Sequence, residues 1–205
     1  MPALPARVFL LSPARAGGER MGLLLRPTAN FALAWEFQQK GAPLGELFAF
    51  ASGLYFRGKL AYARAFGRPP RGGAAALAIV PGRGLVDVEQ TITVDDLRAI
   101  ADVPVDLRDA RYREPLERDA RLLAERLGER GEAVLLGSIA TGKYADVFLD
   151  ALGERLLFPP SFVGRGDMSR GGLLLRAVRA AEELPYAPLR GAIRHGVRPP
   201  RLKPY

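Results

Sequence analysis

The chain contains no cysteine and only one histidine, His195, which lies in a basic, proline-rich stretch near the C-terminus. Lacking thiols, it can form no disulfide framework, thiolate nucleophile or zinc–cysteine centre. One histidine cannot build a multi-histidine metal cluster, and its place far along the chain argues against a Ser-His-Asp triad. Long apolar runs are missing too. The opening "MPALPARVFLLSPARAG" has too short an apolar core for a secretory signal, and no later segment approaches membrane-spanning length. These absences lead us to expect a cytoplasmic protein with no membrane partner. Lysine is scarce as well: only Lys40, Lys59, Lys143 and Lys203 occur.

What the chain has in abundance is arginine. Lysine and arginine together number 30 against 22 acidic residues, a formal charge of +8 with a sequence pI near 10.3. The planar guanidinium fork matches phosphate and carboxylate oxygens, so the excess points toward anionic partners. With 48% hydrophobic residues over 205 positions, the chain is long enough to bury a real core. We expect a single domain over 1–190 followed by a basic, proline-rich tail over 191–205.

Four short apolar runs read as buried strands: "RVFLL" (7–11), "AALAIV" (75–80), "AVLLG" (133–137) and "ERLLFP" (154–159). Between them lie helical patterns. "TANFALAWEFQQK" opens at Thr28 as a candidate cap. A helical region over 44–66 is interrupted near "ASGLYFRGK". "TVDDLRAIADV" has the form of a capped helix. "EPLERDARLLAERLGERG" (114–131) stacks Leu116, Ala120, Leu123 and Leu127 on one face. Strands alternating with helices predict an α/β fold: a mainly parallel sheet of about four or five strands, helices on both faces, and the C-terminal tail.

In such a sheet the loops that follow the strands gather at one rim, where ligands bind. Here they read "SPARAGGER", "PGRGLVD", "GSIATGK" and "FVGRGDMSRGG", each with glycine and at least one cation. Arg15, Arg20, Arg83, Lys143, Arg165 and Arg170 would share that rim, with helix N-termini adding partial positive charge. The third loop, Gly137 to Lys143, spells G-x-x-x-x-G-K between a strand and a helix, with Ser138 and Thr141 inside it and Gly142 before the lysine. Tyr144 stands where a phosphate-binding loop of nucleotide hydrolases has the Ser or Thr that holds Mg²⁺, and no later strand ends in a second metal-binding Asp. Three readings remain open: a hydrolase loop, an anion-holding loop without that metal chemistry, and an ordinary strand-to-helix turn. In the fourth loop Arg165 and Arg170 would clamp an anion with Asp167 as an acid or base beside them. Asp167 could equally cap the following helix. Asp87, just past the second strand, is the other candidate catalytic carboxylate. "GLYFRGKLAYARAF" interleaves Tyr55, Phe56, Tyr62 and Phe66 with Arg57, Lys59 and Arg64. Tyr55, Arg57 and Lys59 would contact nucleic acid there by stacking and phosphate pairing, although helical spacing also suits core packing.

Two segments, "FLLSPAR" and "SGLYFRGKLAYA" with the later "LAIVPGRGLVDVEQTI", resemble the YaaA-type peroxide-stress proteins. The shared positions would be Ser12, Pro13, Arg15, Tyr55, Gly58, Gly84 and Leu85, within the first half of the chain. The resemblance implies an α/β domain associated with DNA and brings no established reaction.

The composite expectation is an anion-binding α/β protein acting on a nucleotide or nucleic acid through these loops. If it is an enzyme, Asp87 or Asp167 would activate water or stabilise a cationic intermediate, in a hydrolase or glycosidic-bond reaction. The alternatives are a non-catalytic DNA- or RNA-binding module and an enzyme on a small phosphorylated or carboxylated metabolite. No cofactor or metal site is called for, and the oligomeric state is undetermined.

Overall fold

The computed structural model describes residues 4–14, 16–200 and 202. Arg15, one of the expected anion ligands, lies outside the described residues.

The four apolar runs become four mutually parallel strands: β1 (Arg7–Leu11), β3 (Ala76–Val80), β6 (Glu132–Leu136) and β7 (Leu156–Phe158). The sheet has six strands rather than four or five, in the order β4-β3-β1-β6-β7-β8. The additional strands are antiparallel edges. β4 (Gly84–Asp87) returns along β3, and β8 (Ala187–Pro188) lies beside β7. The "PGRGLVD" stretch expected as a loop is therefore the turn and second strand of a hairpin; its two apolar residues, Leu85 and Val86, between Gly84 and Asp87 are too short a run to register as a strand pattern. A separate two-stranded pairing joins β2 (Ala42–Pro43) to β5 (Thr91–Ile92).

Eight α-helices occur among the described residues. α1 (Glu19–Leu24), unforeseen, lies in the glycine-rich segment after β1 and buries Met21 and Leu24. α2 (Ala32–Lys40) starts after Phe31, four residues past the Thr28 cap expected from sequence. α3 (Leu44–Ser52) and α4 (Leu54–Phe66) are separated at Gly53, as the pattern anticipated. In α5 (Val94–Ala101), Thr93 accepts from the Asp96 backbone N–H while the Asp96 carboxylate accepts from that of Thr93, a reciprocal cap. α6 (Ala110–Leu127) begins before Pro115, capped by Asp109; that side chain satisfies the Arg111 N–H at 2.9 Å and allows the helix to open five residues ahead of the proline. α7 (Gly142–Leu152) and α8 (Asp167–Ala180) complete the set.

Side-chain alternation along β1 divides the core. Phe9 and Leu11 join a cluster with Leu47, Phe56 and Tyr62 from α3 and α4 and Leu174 from α8. Val8 and Leu10 join another with Leu116 and Leu123 from α6 and Phe148 from α7. Burying each large apolar side chain contributes roughly 1.5–3 kcal/mol, and these buried stripes coincide with the spacing read from the sequence.

α4 and α8 pack unusually close. A Cβ on Gly58 would lie 2.8 Å from the Gly171 carbonyl oxygen, and one on Gly171 would lie 2.8 Å from that of Leu54. Only two facing glycines permit this approach, and it brings the N-terminal turns of α8 against α4. The C-terminal stretch drapes over the body: Arg194 bridges Asp146 at 2.6 Å, and the Pro200 carbonyl accepts from Arg165 at 3.2 Å.

Candidate functional site

The chain leaves β1 toward β3 on one side and leaves β6 toward β7 on the other. The carboxyl ends of β1 and β6 therefore flank the point where the sheet's winding reverses, the place where α/β sheets open a crevice. Leu11 pairs in register with Leu136, so the next residues, Ser12 and Gly137, stand side by side. A Cβ on Gly137 would meet Ser12 Cβ at 2.8 Å and the Tyr144 hydroxyl at 3.0 Å. Glycine at 137 is what lets the serine and the tyrosine converge.

Beneath Ser12 sits Lys59, which is 2% exposed. Its Nζ lies 2.7 Å from the Ser12 carbonyl oxygen and 2.9 Å from Ser12 Oγ. The rings of Tyr55 and Phe56 close it off, with centroids 4.6 and 4.5 Å from Nζ. Burial holds the Lys59 amine down at about 7; Asp167 opposes that displacement and Arg170 reinforces it. Both protonation states find partners here. A neutral amine donates to the carbonyl and accepts from the serine hydroxyl, while an ammonium donates to both oxygens and faces the aromatic rings.

Four further groups complete the cluster. The Tyr55 hydroxyl is buried with no acceptor for its proton; burial pushes its ionisation up, and the Arg170 guanidinium beside its oxygen pulls the other way. Tyr144 donates to the Ser138 carbonyl at 3.0 Å and is likewise raised by burial. Arg170, on the first turn of α8, spans the Phe162 carbonyl at 3.2 Å and Asp167 Oδ1 at 3.3 Å. Asp167 is the exposed member at the mouth. It is the first residue of α8, whose cap is Gly166 with no side-chain hydrogen bond, so Asp167 does not serve as the cap.

The expected rim is only partly assembled. Asp167 and Arg170 reach the cluster, and Gly137 shapes it. Tyr55 and Lys59 belong to it as buried groups, not as a surface for nucleic acid; only Arg57 of that trio is exposed. The i, i+4 spacing that puts Tyr55 and Lys59 on one side of α4 turns them inward against β1. Lys143 is exposed, and it assists Arg108 in holding the Asp106 carboxyl at about 2. A Cβ on Gly142 would collide with the Asp146 carboxylate, so the N-terminus of α7 already has a negative group over it. Thr141 caps α7 by backbone only, and Ser138 Oγ accepts from the Ala140 N–H at 3.4 Å.

Arg83 sits in the β3–β4 turn paired with Asp96. Arg165 is spent on the Ser161 and Pro200 carbonyls and on Ser169. Asp87 stands opposite Leu77, near the amino end of β3 and away from the strand carboxyl ends, with its carboxylate accepting from the Glu89 N–H. It occupies the far end of a hairpin, away from the rim where the sequence pattern places it. Arg20 lines a separate groove with Arg57, Glu46 and Phe50.

Sequence reasoning missed Lys59 as a buried amine and Tyr144 as an inward phenol. A signal existed for each: one lysine among apolar helical neighbours, and a tyrosine where the loop pattern wanted a hydroxyl of smaller size. Among the described residues no group of three or more acidic or histidine side chains converges to hold a metal ion, and no helix is long and apolar enough to cross a membrane. No protein-family model, curated protein or solved structure matches this chain.

Proposed function

We propose that this α/β protein binds the anionic group of a nucleotide or nucleic acid at the crevice between β1 and β6, and acts on it there. The centre of the site is the set Ser12, Tyr55, Lys59, Tyr144 and Arg170, with Asp167 at its mouth, in place of the Gly137–Lys143 loop. The supporting observation is Arg170 standing beside the uncapped N-terminus of α8, with the exposed Asp167 carboxylate as its counter-charge and the Lys59 amine within its field. The chain's +8 charge would draw polyanions toward such a site. Two apolar clusters, drawn from alternate residues of β1, support the companion expectation of helices on both faces.

The test is binding of a nucleotide panel and a short oligonucleotide to the wild type, Arg170→Ala and Lys143→Ala, at two salt concentrations. Loss of one charged hydrogen-bonding partner costs roughly 1.5–3 kcal/mol, or about 10- to 150-fold in affinity. Arg170→Ala should show it and Lys143→Ala should show far less. Equal losses would return the site to the glycine loop. A steep decline with salt would favour a module contacting many phosphates over a compact pocket.

A further inference from the structure

We propose that Ser12 and Lys59 form a nucleophile–base pair that carries out acyl transfer, with Ser12 Oγ attacking the carbonyl carbon of an ester. This deepens the anion-binding reading and rests on it for the substrate class: an ester of an anionic alcohol, of which an acylated nucleotide is the case that satisfies both.

The geometry has the parts such chemistry needs. Ser12 follows the last residue of a central parallel strand at the sheet's reversal point, where a rigid scaffold presents it to a ligand. Lys59 Nζ lies 2.9 Å from Oγ, within reach to take its proton. The Ser12 carbonyl fixes the amine from a second direction at 2.7 Å, so the base is oriented by a third group. Ser12 keeps 7% exposure against 2% for Lys59, which makes the hydroxyl the forward member and the amine its buried support. The depressed ionisation of Lys59 to about 7 supplies a neutral base near physiological pH. Its charged and titratable neighbours are Asp167 and Arg170 from α8 and Tyr55 on its own helix, with Tyr144 of α7 beyond Ser12.

The Tyr55 hydroxyl, whose proton finds no acceptor, is the second, independent feature. A buried O–H without an acceptor costs stability unless something fills its place. A developing oxyanion would do so, with the Arg170 guanidinium beside it. Phosphoryl transfer is less suited to this arrangement, since its spread negative charge calls for several converging cations. Arg170 already shares its donors with Asp167 and a backbone carbonyl.

In the step itself, the Ser12 Oγ–H proton passes to the Lys59 lone pair as the Oγ–C bond forms. Collapse of the tetrahedral adduct breaks the bond from carbon to the alcohol oxygen, and Lys59 returns the proton to that oxygen. Water then attacks the acyl-serine, giving one proton to Lys59, which passes it to Ser12 Oγ as the carboxylic acid leaves.

The experiment uses p-nitrophenyl acetate, an uncharged ester, followed by peptide mass spectrometry and p-nitrophenol release across neutral pH. Wild type should acquire one acetyl group on the peptide bearing Ser12, at a rate rising through a pH near 7. Ser12→Ala should lose that adduct, Lys59→Met should slow acetylation at least 100-fold, and Tyr55→Phe should slow it about 10-fold. Circular dichroism checks that each variant is folded, and Tyr55→Phe removes one hydroxyl and keeps the buried ring, so its kinetics remain interpretable if Lys59→Met does not fold. Acetylation that persists in Ser12→Ala, or that is absent from wild type, overturns the proposal, as does turnover of p-nitrophenyl phosphate in place of the acetate. Because the probe carries no charge, acetylation without nucleotide binding would sink the anion-binding reading alone, and binding without acetylation would sink this one alone.

Discussion

Replacing Lys59 with Met should remove a specific pH dependence from the stability of the fold. Lys59 is 2% exposed and its amine is held at about 7, against an ordinary value of 10.5. Between those values the unfolded chain carries a proton at this position and the folded chain does not, so unfolding takes up a proton. Raising the pH therefore opposes unfolding. The contribution to stability climbs by about 1.4 kcal/mol per pH unit across that window and is flat below it, where both states are protonated. The full displacement amounts to roughly 5 kcal/mol, a large share of the about 5–15 kcal/mol that stabilises a typical domain. Urea unfolding followed by far-UV circular dichroism, at intervals from about pH 6 to about pH 9.5, measures the effect; the upper limit avoids ionisation of tyrosines in the unfolded chain near pH 10. The Met variant leaves the Ser12 carbonyl without its donor, a penalty that does not change with pH. The wild-type stability minus the variant's should rise by about 3 kcal/mol between about pH 7 and about pH 9.5. Parallel stability curves for the two proteins would refute a buried, neutral-poised amine.

Gly58→Ala tests the approach of α4 to α8. A helical Gly→Ala change ordinarily gains up to about 1 kcal/mol. Here the new Cβ would lie 2.8 Å from the Gly171 carbonyl, and overpacking of about 1–3 kcal/mol should prevail, lowering the melting temperature in a thermal scan; a rise would mean the helices can part freely. Thr93→Ala removes half of the reciprocal cap on α5 and should cost about 1 kcal/mol in urea unfolding, with no loss indicating that Asp96 or water replaces it.

Much of the framework was legible from local pattern. All four central strands were found because a strand buried in a parallel sheet is a short, uninterrupted apolar run. α6 was found because its inward face repeats at helical spacing. The edge strands β4 and β8 escaped because each is two to four residues long, and their pairing with β3 and β7 is what defines them. α1 escaped because glycines and a nearby proline mask six residues that are held by burial of Met21 and Leu24, not by propensity. At the site, Asp167 and Arg170 were named from their loop. Arg83, Arg165 and Asp87 were named on the same grounds, but their side chains are committed to Asp96, to backbone carbonyls and to a turn. A sequence shows that a loop carries a cation and not where that cation points.

The sequence by itself determined the alternation of strand and helix, the absence of thiol chemistry and of multi-histidine sites, and the positive charge, because each follows from residue type and short-range spacing. Only the tertiary structure decided which strand ends are neighbours, that α8 folds back against α4 through two glycines, and that Lys59 lies under Ser12 rather than on the surface. Those outcomes depend on contacts between residues 47 or more positions apart, as with Lys59 and Ser12, and on the desolvation that follows. A residue's chemistry is altered by what surrounds it in space, and periodicity along the chain carries no record of those distant surroundings.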